Sequence, residues 1–254
     1  MSARETVFQV LDKLMIPRDG VLLVHSAFKR LSKAGYNPSD FTADLVDYMA
    51  PGTLLMPAMS WRSVNPDNPI FDELETPGIT GILSETFRKK FASHRSLHPT
   101  HSVSGCGRLA ESLLQSHHLD DTPCSKNSPF GLLSDHNAYV LLVGVGFERC
   151  TLIHHVEELM APDLYLRPFR DREEYVCRDR QGNEINVFVR RHYKLVRDFY
   201  QFEAPLIENG NMKFRLLGEV SFKFFAAKDL VELVSETLRN FPGAILASPP
   251  PQEF

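Results

Sequence analysis

Apolar residues recur at helical spacing over residues 4–15, where Val7, Leu11, Leu14 and Met15 share a face, and Pro17 with Gly20 breaks the chain before the apolar run Val21 to Val24. The pattern predicts a helix, a turn and a buried strand. The same order returns further on. Asp40 to Met49 sets Phe41, Leu45, Val46 and Met49 on one helical face, and Pro51-Gly52 turns the chain into Thr53-Leu54-Leu55-Met56. Short apolar strands joined by helices are buried on both faces, which predicts a largely parallel sheet. Residues 60–78 carry Pro66, Pro69 and Pro77 without periodicity and read as a long loop, a candidate wall or lid for a site.

Gly81 to Lys90 reads as a helix with Arg88-Lys89-Lys90 at its C-terminal end, where the helix dipole favours cations. A short strand is predicted at Ser102 to Cys106 and a helix at Leu109 to Leu114. The strongest strand signal is Tyr139 to Val143, closed by Gly144-Val145-Gly146 and followed from about Thr151 by a helix. Open α/β sheets place their ligands at such a strand end. The last third changes character: Glu174 to Cys177 and Ile185 to Val189 form a predicted antiparallel hairpin, and 213–225 reads as further strand. Leu230, Val231, Val234 and Leu238 then mark a terminal helix from Ala227 to Asn240, and the tail from Ser248 reads as frayed.

With 254 residues, 43% hydrophobic and 24% charged, the chain is long enough for a substantial core in a single globular unit. Its 28 Lys plus Arg against 32 Asp plus Glu leave a net charge of −4, which argues against a nucleic-acid binder. No apolar stretch nears the ~20 residues of a membrane span, and the N-terminus lacks the order of a signal peptide, so a cytoplasmic address without a membrane partner is expected. Cys106, Cys124, Cys150 and Cys177 form no Cys-x-x-Cys pair, so reduced, packing thiols are expected.

Two polar clusters could carry chemistry. His94 to Ser102 gathers three histidines, a guanidinium and hydroxyls, and Pro99 keeps His98 extended, so this is a loop of donors suited to anions or acyl carbonyls, or one whose histidines merely cap backbone groups. In the second, on the predicted helix from Thr151, His154 shares a face with Glu157 and Glu158, so a carboxylate can fix the imidazole tautomer for a general base; a solvated helix end is the alternative. His98, His101, His154 and Glu157 could also ligate a metal, but no His-Glu-x-x-His or carboxylate-rich run is present and no metal is expected.

His25 through Arg30, after the first buried strand, places Ser26, backbone N–H groups and the cations Lys29 and Arg30 where a phosphate-bearing ligand would sit. Ser128 reads as the N-cap of a short helix with Pro129 at its first position. Neither segment is a Walker or dinucleotide loop.

In this order the motifs resemble the aminoglycoside 3-N-acetyltransferase family. They are Val24-His25-Ser26, Gly52 to Pro57, Phe71-Asp72 with Thr76-Pro77, and Gly81 to Arg88. Arg95-Ser96, His98 to Val103, Ser128 to Gly131, Leu141 to Gly146, and Thr151 with His154 and Glu157 continue the series. The resemblance covers roughly residues 20–165 and implies an α/β/α sandwich with a mixed, partly parallel central sheet and an antiparallel C-terminal portion. It implies one domain over 1–254: a CoA-binding and catalytic part over 1–165, and an acceptor-side part with the terminal helix over 166–254. The implied reaction is direct acetyl transfer from acetyl-CoA to a sugar amine, with His154 as base and Glu157 as its acidic partner. His98, Thr100, His101 and Ser102 would approach the thioester, with an oxyanion donor near Thr100 and His101. Ser26, Ala27, Phe28, Lys29 and Arg30, with Ser128 and Phe130, would meet coenzyme A.

Departures from the family concern the acceptor. Ala27 follows Ser26 where the family has a second serine, His155 replaces a usually apolar residue, and residues 165–200 are rich in Arg and Lys. Such a segment is either a face paired with nearby acids or a receptor for negative charge. The latter makes a nucleotide-linked amino sugar the leading acceptor, an aminoglycoside the alternative, and a homodimer compatible with either. A silent CoA-binding relative has no reason to retain a paired base. Whether His155 or His98 assists His154 stays open at this level.

Overall fold

The computed structural model describes residues 3–247; the tail predicted to fray lies outside them. In chain order the elements begin with α1 (Ala3–Lys13), β1 (Val21–Ser26), α2 (Phe28–Lys33), α3 (Pro38–Tyr48), β2 (Thr53–Pro57) and β3 (Ile70–Asp72). They continue with α4 (Ile82–Lys90), β4 (His94–Arg95), β5 (Val103–Gly107), α5 (Ala110–Leu114), β6 (Tyr139–Val143), α6 (Leu152–Met160) and α7 (Pro162–Tyr165). The last third holds β7 (Glu173–Arg178), β8 (Glu184–Val189), α8 (Glu203–Glu208), β9 (Met212–Leu217), β10 (Val220–Ala226) and α9 (Ala227–Asn240).

Seven strands form the main sheet in the order β4-β5-β2-β1-β6-β10-β9. Residues alternate across it. Leu22, Val24, Leu54, Met56, Leu141 and Val143 pack on one face with Val7 and Leu11 of α1, Phe41 and Leu45 of α3, and Leu83 and Phe87 of α4. Leu23, Leu55, Val140, Leu142 and Phe225 pack on the other with Ile153 and Val156 of α6 and Leu230, Val234 and Leu238 of α9. Because helices cover both faces, β1 and β6 read as unbroken apolar runs, and α9 buries one stripe with leucines contributing about 1.5–3 kcal/mol each. This is the three-layer sandwich. Among the described residues no helix is long and apolar enough to cross a membrane.

The sheet is less parallel than the helix-strand alternation predicts. Within it only the neighbours β2–β1 and β1–β6 pair in parallel; β5 lies antiparallel to β2 and to β4, and β10 antiparallel to β6 and to β9. The reversal arises because the excursion from Ala58 to Ser102 returns the chain down the same edge instead of crossing over. There β5 ends at Gly107, whose φ of +104° and contact with the Gly52 carbonyl exclude a side chain. The predicted hairpin forms, and the segment read as further strand folds into a second one, but the two separate: β9–β10 extends the main sheet, while β7–β8 builds a second sheet with β3. Three residues of the long proline-rich segment therefore form a strand, Ile70 to Asp72 pairing with Val176 to Arg178. So short a strand between prolines carries no periodic signal.

With β2 and β6 on either side of β1, the strand order reverses at β1, and the carboxyl ends of β1 and β6 border the crevice where open sheets bind ligands. The Ala27 N–H donates to the Val143 carbonyl at 2.9 Å, holding the chain after Ser26 against Gly144.

Candidate active site

Helix α6 follows β6 through the turn Gly144 to Thr151. Leu152, Ile153 and Val156 anchor it in the core, leaving His154, His155, Glu157 and Glu158 to be solvated by the protein itself. His154 keeps 23% of its side chain exposed, whereas Glu157 is fully buried. The His154 Nδ1–H donates to Glu157 Oε2 at 2.8 Å, and Arg197 Nε donates to Glu157 Oε1 at 2.7 Å. Burial alone would raise the Glu157 carboxyl, but the hydrogen bonds and positive field that His154 and Arg197 direct at it hold it below the ordinary range. An anionic Glu157 keeps the His154 proton on Nδ1 and frees Nε2 as a lone pair. Arg197 is fixed in turn by the Tyr193 and Leu195 carbonyls at 3.3 and 3.1 Å.

Aromatic rings continue from His154. Its centroid lies 4.8 Å from His192 and 5.1 Å from Phe199; His192 lies 6.1 Å from His101, which stacks on Trp61 at 5.8 Å. His101 Nδ1 is 2.8 Å from the Thr100 hydroxyl. The two predicted clusters thus meet, with His192 between them. Burial, reinforced by neighbouring cations, drives His101 and His192 well below the ordinary imidazole range and keeps both neutral.

Within the 98–102 loop the roles divide. His98 and Thr100 are fully buried. Backbone N–H groups of Thr100 and His101 donate to His98 Nδ1 at 3.2 and 3.0 Å, so the His98 ring shapes the turn that presents His101. It stacks at 4.4 Å on His117, which donates through Nε2 to the Pro123 carbonyl and accepts at Nδ1 from Ser96. His98 therefore stands apart from His154, and His155, whose Nδ1–H donates to the Cys124 carbonyl at 2.8 Å, faces away as well.

Arg95, six per cent exposed, ties this loop to the proline-rich segment. Its guanidinium donates to the Glu73, Thr76 and Ala58 carbonyls at 3.0, 2.6 and 2.9 Å and to the Ser102 hydroxyl at 3.0 Å. Ser102 in turn donates to the Ala58 carbonyl at 2.7 Å. Burial among neutral acceptors pulls Arg95 down to about 9. Ser60, anchored to the Pro99 and Thr100 carbonyls, holds Trp61 beside His101.

Of the residues expected to meet coenzyme A, the structure offers only the β1 segment. Ser26, Ala27 and Phe28 are partly exposed and Lys29 and Arg30 exposed, with Arg30 Nη1 donating to the Glu219 carbonyl at 3.3 Å. Ser102, Ser128 and Phe130 are fully buried. Ser102 is spent on Arg95, Ser128 caps the Gly131 N–H at 3.2 Å, and Phe130 belongs to the core, so none of the three presents a surface to a ligand here. Ligand atoms of His154, Glu157 and His192 lie within 4.8 Å of one another. Both Glu157 oxygens are already taken, and the Arg197 charge opposes a cation there.

The basic segment resolves into ion pairs. Arg167 and Arg191 meet Glu173 at 3.1 and 3.3 Å, Arg178 meets Glu184 at 2.8 Å, Arg180 meets Glu73 at 2.6 Å, and Arg197 meets Glu157. Arg190 and Arg170 lie 3.8 Å from Asp163 and Asp171, and Arg172 stacks on Phe169. Most of the run is therefore a paired face, while Arg172 meets only aromatic rings and Lys194 has no ion pair among the described residues, which weakens the reason for expecting a negatively charged acceptor. Spacing missed His192 and Arg197: each is a single residue in an Arg-rich stretch, brought to α6 only by folding.

A carboxylate-oriented imidazole near the carboxyl ends of the parallel strands of a mixed sheet, beside the reversal of strand order, lies where α/β/α enzymes place their sites. The family model for aminoglycoside 3-N-acetyltransferases matches residues 23–239, and the chain belongs to that family, whose members are acetyl-CoA-dependent acyltransferases. Aminoglycoside N(3)-acetyltransferase IV of Salmonella sp is 34% identical over 158 residues, a match spanning 62% of this chain and 58% of the relative. Aminoglycoside N(3)-acetyltransferase III of Pseudomonas aeruginosa is 26% identical over 243 residues, covering 86% and 87%. A solved complex of AAC(3)-IVa with a gentamicin superposes with a TM-score of 0.77 at 26% identity, covering 96% of this chain and 91% of that one.

Proposed function

We propose that this chain acetylates an amine of an aminoglycoside with acetyl-CoA, using His154 as general base. The carrying observation is the 2.8 Å His154–Glu157 contact, with Arg197 on the other carboxylate oxygen, in a member of this family. Acetyl-CoA supplies an activated acyl group as its thioester. An aminoglycoside amine is an ammonium at neutral pH, and His154 Nε2 removes the proton that blocks attack, a service of about 10²–10⁴ in rate. The freed amine forms the new C–N bond, the C–S bond breaks as the His154 imidazolium gives its proton to the departing sulfur, and the second proton that the nitrogen sheds on becoming an amide passes to solvent. Glu157 stabilises that imidazolium. The Thr100 hydroxyl, donating to His101 Nδ1, puts the His101 proton on Nε2, an oxyanion donor of the kind contributing about 3–4 kcal/mol. His98 and Thr100 position His101, and Ser26 to Arg30 at the sheet edge face the phosphate-bearing end of the cosubstrate.

The acceptor class is supported by the named relatives and by the pairing of most of the basic segment, which removes much of the reason for a nucleotide-linked amino sugar. Thiol release from acetyl-CoA would be followed with gentamicin- and apramycin-type compounds, and separately with nucleotide-linked 3-amino and 4-amino sugars. Turnover is expected with the aminoglycosides, and turnover with nucleotide sugars alone overturns the acceptor assignment. His154→Ala is expected to lower turnover at least ~100-fold with coenzyme A affinity within a few-fold, and near-normal turnover would remove the base assignment.

A further inference from the structure

Glu158, next to the base-holding glutamate, is the carboxyl for which the proposed transfer has no use. Its side chain is four per cent exposed. The Thr122 hydroxyl donates to Oε2 at 2.6 Å and the Cys124 N–H to Oε1 at 2.9 Å. His192 Nε2 lies 3.0 Å from the same Oε1, within ion-pair distance but outside hydrogen-bond geometry, and that nitrogen has no other partner among the described residues. Adjacent glutamates thus each face one histidine, Glu157 facing His154 and Glu158 facing His192, and the two rings pack at 4.8 Å.

We propose that Glu158 is a positioning residue for the transfer reaction, its clamped carboxyl setting the ring orientation and proton placement of His192 against His154. This rests on the reading of His154 as base. A small ring rotation aligns the His192 Nε2–H with Oε1, as catalytic contacts commonly tighten when substrate binds. The groups around Glu158 are His154 and His155 from its own helix, Asp120, Thr122, Cys124 and Lys126 from the segment before β6, and Arg190 and His192 from the strand-end segment after β8. Burial pushes the Glu158 carboxyl up to about 8, so below that pH it is a neutral group, and above it His192 faces a carboxylate.

The test is Glu158→Gln, which keeps the shape and removes the titration, with steady-state kinetics from pH 6 to 9.5 on acetyl-CoA and an aminoglycoside. Expected are a kcat lower by about tenfold, in line with losses on removing a group that orients a reacting imidazole, KM values within twofold, and loss of an inflection near pH 8. In a His192→Gln background the same change is expected to alter kcat less than about twofold, because coupled residues are not additive. Unchanged kcat and pH profile, or effects that add in the double variant, overturn the proposal. If Glu158→Gln does not fold, Thr122→Val removes one clamp without touching charge, and the same kinetic readouts apply. Full activity of His154→Ala would instead refute the underlying base assignment.

Discussion

Glu157→Gln separates geometry from charge in the proposed base. The amide must face two neighbours that both donate, His154 Nδ1 at 2.8 Å and Arg197 Nε at 2.7 Å, and it has only one acceptor. Arg197 stays charged and is held by two carbonyls, so it claims the amide oxygen. The amide N–H₂ then points at His154 Nδ1 and forces the proton to Nε2, the nitrogen that has to accept. A base in the wrong tautomer forfeits its contribution, so kcat is expected to fall by about 10²–10⁴, or roughly 3–5 kcal/mol of barrier, with KM little changed. Thiol release from acetyl-CoA with a saturating aminoglycoside measures it. Adding Arg197→Met releases the amide to rotate, and kcat is expected to recover about tenfold or more over the single variant. A single variant within threefold of wild type, or a double variant slower than the single, refutes the reasoning.

Arg95→Met strips the donor from the buried Glu73 and Thr76 carbonyls, while the Ala58 carbonyl keeps the Ser102 hydroxyl; at about 1–3 kcal/mol per unmet acceptor, urea unfolding is expected to show a loss of about 2–6 kcal/mol. Glu158, raised to about 8 when folded, weakens stability as pH climbs from the unfolded value near 4.3 toward 8, at up to about 1.4 kcal/mol per pH unit. Melts of Glu158→Gln are therefore expected to gain on wild type between pH 5 and 8, and a constant difference would refute the assigned burial. Glu157 has the opposite sign: its stabilisation holds above the unfolded value and is lost as pH falls through its lowered folded one, so Glu157→Gln is expected to destabilise less at pH 3 than at pH 7. Gly107→Ala drives a methyl into the Gly52 carbonyl at φ +104° and is expected to yield no stable protein, whereas Gly35→Ala, at φ +86° with open space, is expected to cost only about 1 kcal/mol in a thermal melt.

Local spacing carried much of this protein. Helical periodicity placed His154 and Glu157 one turn apart before any coordinates, and Gly144 with Gly146 marked the strand end that precedes them. Pro99 marked the 98–102 segment as a loop, unbroken apolar runs located the central strands, and helical periodicity located the helices that cover them. All of these depend on contacts within a few residues, where backbone geometry alone sets which side chains meet. The direction of β5, the three-residue β3 and the separation of the two hairpins depend on where long connections return, which no local pattern encodes. The charges behave alike. Arg197 lies 40 residues from Glu157 and Arg180 lies 107 from Glu73, so an Arg-rich run read along the chain looks like a receptor for anions although the fold pairs most of its guanidiniums with distant or neighbouring carboxylates. The residue types and their local register belonged to the sequence, whereas the partners of each buried charge came from the packing of distant segments, because a charge leaves water only where the fold brings a counter-charge or, as at Arg95, a full set of acceptors.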